Sequence, residues 1–135
     1  MGKINSVKYK VICPYCGKPA EYVDSEEIYG ESYGMIYLCR DCDAYVGCRK
    51  GSKRPLGELA DATTRMWRHR AHSCFDWLWR KRYFSRGGAY YWLAQQMGLD
   101  TKLTHIGMFN IEQCKKVIDV SRAYLIAMHK KQGVN

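Results

Sequence analysis

Two Cys-x-x-Cys pairs, Cys13-Pro-Tyr-Cys16 and Cys39-Arg-Asp-Cys42, stand 22 residues apart and constrain this chain more than any other feature. Two intervening residues let both thiolates of a pair face one ion while the backbone turns tightly between them. Gly17 follows the first pair, where such a knuckle calls for a left-handed residue. Two knuckles bring four sulfurs, which close a tetrahedral Zn²⁺ shell and leave no open position for a substrate. The expected cofactor is one structural zinc ion held by Cys13, Cys16, Cys39 and Cys42. A redox Cys-x-x-Cys needs a single pair beside a βαβ pattern, and none is visible. A disulfide framework suits an even cysteine count, and this chain has 7. Met1, Gly2 and Lys3 lead into a polar strand rather than an apolar signal segment, so a reducing cytoplasm is expected.

The hydrophobic pattern around the knuckles alternates. Val7–Ile12 reads as a strand entering the first knuckle and Ala20–Asp24 as one leaving it. Residues 25–34 are polar and read as a hairpin connection. Met35–Leu38 enters the second knuckle, and Ala44–Cys48 leaves it. This order is that of a zinc ribbon. A basic loop, Arg49 to Arg54, follows, and Pro55 stands where a helix is expected to start. Leu56, Leu59, Ala60, Thr63, Met66 and Trp67 form its expected inward face. Ser73–Asp76 is expected to break it, ahead of an aromatic patch at Trp77, Leu78 and Trp79. Ser85 caps a second helix through Met97, stopped by Gly98. Asn110 with Gln113 resembles a capping box for a third, from about Ile111 to Lys131. Its apolar stripe runs through Ile111, Cys114, Val117, Ile118, Ser121, Leu125 and Met128.

The fold class is therefore α+β: a ribbon over residues 1–50 of short antiparallel strands, then three helices over 51–135 packed on it as one unit. No apolar run approaches the ~20 residues of a membrane span. The formal net charge is +9, and four thiolates with one Zn²⁺ bring it to about +7. Residues 1–48 are mildly acidic, with five Lys/Arg against seven Asp/Glu, whereas 49–86 hold eleven against three.

The residues also form a family pattern. It runs through Cys13-Pro-Tyr-Cys16-Gly17, Ser32-Tyr-Gly-Met-Ile-Tyr-Leu-Cys39, Cys42-Asp-Ala-Tyr-Val-Gly-Cys48 and Pro55-Leu-Gly-Glu-Leu-Ala60. It continues at Ala71-His72, Phe75-Asp76, Leu78-Trp79, Ala89-Tyr-Tyr-Trp-Leu-Ala94 and His105-Ile-Gly-Met-Phe109. In these motifs, from about 13 to 118, the chain resembles a phage- and prophage-associated family of zinc-finger-containing proteins of unknown function. The resemblance implies a phage or mobile-element origin, hence a bacterial host cytoplasm, and a zinc-bound ribbon; it implies no settled activity. Arg49 departs from the pattern where a His often stands, and Trp77 where a Pro often stands.

Function is expected in the basic middle. Arg49, Lys50, Lys53, Arg54, Arg65, Arg68, Arg80, Lys81, Arg82 and Arg86 are the candidate contacts to DNA or RNA phosphates. Trp77, Trp79, Tyr83 and Phe84 are candidates for stacking on unpaired bases. The bland reading is that the late-helix cations serve the macrodipole and the aromatics serve the core. The alternative is a protein–protein module that inhibits or redirects a host protein, because Trp, Tyr and Arg make good hot spots. Cys48, His69, His72 and Cys74 have the chemistry for a second ion, whereas Cys114 reads as a buried small hydrophobe. A metal-assisted nuclease on His72, with Asp76 and Arg65, or on His105 is the third reading, and needs an ion beyond the four cysteines. No paired carboxylates, P-loop or GxSxG string supports catalysis.

Overall fold

Each cysteine pair turns the chain so that a strand follows it. In the computed structural model, which describes residues 9–133, three strands form: β1 Glu21–Asp24, β2 Met35–Cys39 and β3 Ala44–Gly47. They build one antiparallel sheet in the order β1-β2-β3, with Tyr22 opposite Tyr37 and Leu38 opposite Tyr45. Three long helices and one four-residue helical turn accompany the sheet, so the architecture is α+β. Of the strand expected at Val7–Ile12, Val7 and Lys8 lie outside the described residues, as do Met1–Lys3. The described part pairs only through an isolated bridge from Ile12 to Pro19.

The polar connection after β1 is more ordered than its composition suggests. Asp24 Oδ1 accepts the Glu26 N–H at 2.8 Å and starts one helical turn, α1 Glu26–Tyr29. The buried Ser25 hydroxyl accepts the Tyr33 N–H at 2.8 Å and ties the returning chain down.

The helix expected at Pro55 does not start there. Pro55 pairs with Cys48, the Leu56 N–H reaches the Gly47 carbonyl at 2.9 Å, and Tyr45 and Ala60 exchange two backbone bonds of 3.2 and 3.0 Å. Residues 55–60 thus run back along β3. Proline is tolerated because it sits at a sheet edge, where a missing N–H leaves no gap in a ladder. Leu59 enters a small core with Cys13, Tyr37, Cys39 and Ala44.

Two compact units result, the first ending at Thr63 and the second beginning at Thr64. The second holds most of α2 Ala62–Arg80, with α3 Arg86–Met97 and α4 Ile111–Lys131. Ser73–Asp76 does not break α2. Phe75, in the middle of that stretch, is fully buried among Ala71, Leu78, Ala89, Leu93 and Val117, and this burial outweighs weak local propensity. The inward face of α2 is accordingly Thr64, Ala71, Phe75 and Leu78; Met66 is exposed. The expected caps form. Ser85 Oγ accepts from Gly88, Gly98 closes α3 in the left-handed conformation, and Asn110 and Gln113 exchange both capping-box bonds, at 2.8 and 3.0 Å.

Candidate metal centre and cationic surfaces

In the first knuckle the Gly17 N–H returns to the Cys13 carbonyl at 2.9 Å, and Gly17 adopts φ 77°. The second knuckle also ends on a left-handed residue, the non-glycine Asp43 at φ 50°, whose N–H reaches the Arg40 carbonyl at 3.3 Å. The two turns bring the sulfurs of Cys13, Cys16, Cys39 and Cys42 within 4.8 Å of one another. Cys16 and Cys39 sulfurs are 3.6 Å apart, far too long for a disulfide. That separation is close to the ~3.8 Å edge of a tetrahedron with metal–sulfur bonds of ~2.3 Å. Among the described residues these four cysteines are the one such cluster.

The donor set fits a divalent ion. Burial pushes the Cys13 thiol up, but the N–H groups of Tyr15 and Cys16 outweigh it and leave it lowered. Burial and the neighbouring sulfurs push Cys42 up to about 12. Four thiolates so close need a cation among them, and an ion bound by all four has no coordination position left for chemistry.

Exposed ion pairs, each worth little in water, link the segments around the knuckles. Lys18 Nζ meets Asp41 Oδ2 at 2.9 Å, and Arg40 bridges Glu21 at 2.9 Å and Glu27 at 2.6 Å. Tyr15, inside the first knuckle, accepts the Asp61 N–H at 3.0 Å. Much of the acidic character of residues 1–48 is therefore spent on their own cations.

Arg49, Lys50, Lys53 and Arg54 come together on one hairpin tip. The Arg49 N–H bonds the Arg54 carbonyl at 2.8 Å, Ser52 holds the turn through its hydroxyl, and the Tyr37 hydroxyl donates to the Lys53 carbonyl at 2.6 Å. All four cations are exposed, and among the described residues none of them pairs with a carboxylate. Because the tip follows β3, it lies at the opposite end of the sheet from the cysteines, about 13 Å away at ~3.3 Å per residue.

The other candidate cations are differently employed. Arg68 Nε donates to the Phe109 carbonyl at 2.8 Å and fastens α2 to the turn before α4. Arg65 is half-buried on α2. Arg80 and Arg86 stand 5.6 and 5.8 Å from the Trp79 ring, and Lys81 stands 5.8 Å from Trp77. Arg82 ends α2 at φ 63°, its N–H on the Trp79 carbonyl and the next N–H on Leu78. This is a helix-closing motif that glycine ordinarily occupies. Arg80, Lys81 and Arg82 thus stand where a helix C-terminus favours cations in any case.

Of the expected stacking aromatics, Trp79 and Phe84 pack against the helical core, Tyr83 meets Tyr124, and Trp77 is 47% exposed. His72 Nδ1 is 4.0 Å from Asp76 Oδ1, and burial, opposed by Asp76, lowers its pKa. His105 is exposed before a helical turn and caps nothing. Cys74 and Cys114 point at the Ile118 and Phe109 carbonyls, at 3.8 and 3.9 Å, and Cys48 lines the first core. The structure does not gather these residues into a second metal cluster within the described chain.

A further group was not anticipated. Tyr9, Tyr22, Tyr29, Tyr33 and Tyr45 line a cavity of about 900 Å³ beside the basic tip. The signal for it was compositional: seven of the 11 tyrosines precede residue 48.

No helix of the described residues is long and apolar enough to cross a membrane. A family model described as a zinc-finger-containing domain matches residues 9–124. No curated protein and no solved structure matches the chain.

Proposed function

The chain belongs to the family of zinc-finger-containing domains, and from that premise we propose that it binds DNA or RNA through the cations of residues 49–86, around one structural Zn²⁺. The ion would be held by Cys13, Cys16, Cys39 and Cys42, and supplies fold stability only. The observation that carries the reading is the 49–54 tip. Four exposed cations are held on a closed turn, with neither an acidic partner among the described residues nor a helix end to account for them. Such a cluster releases counterions when it meets phosphates. Arg80, Lys81 and Arg86 are the secondary contacts, and Arg68 is structural. The phage or prophage resemblance fits a protein working in a bacterial cytoplasm.

Anisotropy of labelled DNA and RNA oligonucleotides tests this. Affinity should fall steeply between about 50 and 200 mM salt. Flat binding across that range, or none to any strand, removes the reading.

One observation favours the protein-partner alternative. Trp77 and Ile126, 47% and 54% exposed, line an apolar hollow of about 630 Å³ rimmed by Lys81, His129 and Lys130. A host protein retained after nuclease treatment and lost on Trp77→Ala supports that alternative; loss of every partner to nuclease removes it.

A further inference from the structure

The cavity beside the basic tip combines two chemistries in one lining. Tyr33 and Tyr29 are 71% and 52% exposed, and Tyr9 and Tyr22 are 39% and 38% exposed. Tyr29 is held in place: its hydroxyl donates to the Tyr45 hydroxyl at 3.2 Å, and its ring meets Tyr45 edge-on at 6.0 Å. Tyr33 leans on Tyr29 edge-on at 5.7 Å and keeps most of its surface in solvent. On the other side Tyr22 packs against Tyr37 at 5.1 Å, with Lys53 Nζ 5.6 Å from its ring.

Arg49, Lys50 and Lys53 add charge to the lining, Met35, Ile36 and Leu56 add apolar surface, and among the described residues no carboxylate contributes to it. Four acids of this unit are engaged elsewhere: Glu21 and Glu27 with Arg40, Asp41 with Lys18, and Asp24 with the Glu26 N–H and Ser32. The overall acidity of the first 48 residues therefore does not describe this surface. The volume, about 900 Å³, is at the upper end of the roughly 300–1,000 Å³ of ligand sites.

A cationic wall favours a polyanion. Aromatic faces open to solvent favour a ligand with flat rings to lay on them. A duplex keeps its base faces inside its own stack and has none to offer, whereas a single strand presents both phosphates and bases. We infer that the tyrosine groove is a single-strand site: unpaired bases stack on Tyr33 and its neighbours while Arg49, Lys50 and Lys53 hold the phosphates. This rests on the nucleic-acid reading above and specifies its substrate class. It also moves the stacking role from the tryptophans around residue 78 to the tyrosines of the cysteine unit.

The test uses the full zinc-loaded chain with labelled oligo-dT, oligo-U and a DNA duplex of equal charge. Both single strands should bind more tightly than the duplex. Tyr33→Ala should weaken single-strand binding roughly tenfold and leave duplex binding unchanged, and Tyr33→Phe should restore it. Replacing Arg49 and Lys50 by Ala should weaken both. Since Tyr33 is a surface residue, unchanged zinc content and circular dichroism should accompany these variants. Three results would overturn the groove while leaving salt-dependent binding intact. They are wild-type single-strand affinity in Tyr33→Ala, a duplex bound as tightly as the single strands, or poly-glutamate of matched charge displacing oligo-dT as well as unlabelled oligo-dT does. Absence of binding to any of the three strands would sink this inference and the broader reading together.

Discussion

Gly17, Arg82 and Ser121 are single positions where backbone or burial chemistry makes a quantitative demand. Gly17 sits at φ 77° with nothing within 4 Å of an added Cβ, so Gly17→Ala meets only conformational cost. It should destabilise the zinc-loaded first unit by about 1–2 kcal/mol in chemical denaturation. Arg82 pays the same cost in the native chain, at φ 63°. Arg82→Gly should therefore stabilise the helical unit by about 1 kcal/mol. Equal or lower stability of that variant would show that the arginine makes a compensating contact. Ser121 Oγ is buried on α4 without a hydrogen-bond partner among the described residues. Ser121→Ala should raise the denaturation midpoint, by about 1 kcal/mol of stability. The knuckle glycine was legible in the sequence because the turn is local. The arginine was not, because a helix end set by Leu78 burial, not by Arg82 itself, places it in the left-handed region.

At the scale of elements, the caps carry the clearest consequences. The reciprocal Asn110–Gln113 bonds start α4, and Asn110→Ala should cost about 1 kcal/mol. Phe75 is the test for α2. As a fully buried ring in the middle of the stretch with the weakest helix propensity, it should cost about 3–5 kcal/mol when cut to alanine. A smaller loss, below that of the cap, would mean that α2 is continuous for local reasons instead. These elements also show what a sequence can disclose. Ser85, Gly98 and Asn110 with Gln113 were readable because a side chain and a backbone group three residues away settle the matter. Pro55 was misread because proline suits both a helix start and a sheet edge. The deciding partners, Tyr45 and Gly47, are brought to it only by the folded sheet. The tyrosine groove was missed for the same reason: its walls come from four separate segments, joined at the sheet end remote from the cysteines.

Across the whole molecule, the two units have separate cores, one of Cys13, Tyr37, Cys39, Ala44 and Leu59 and one built around Phe75. The first is too small to rely on apolar burial alone, and an ion held by its four cysteines would supply the difference. Chelation should therefore unfold the unit ending at Thr63 while most of the helical circular dichroism persists; simultaneous loss of both would contradict this division. The division of labour is equally clear. The four sulfurs stabilise one end of a sheet, and the cations stand free at the other. The salt dependence of oligonucleotide binding, compared between the native chain and a variant with Arg49, Lys50, Lys53 and Arg54 all changed to alanine, tests that arrangement most directly. With zinc content unchanged, the variant's slope of log affinity against log salt on a single strand should be shallower by roughly 3. A slope equal to that of the native chain would contradict the account.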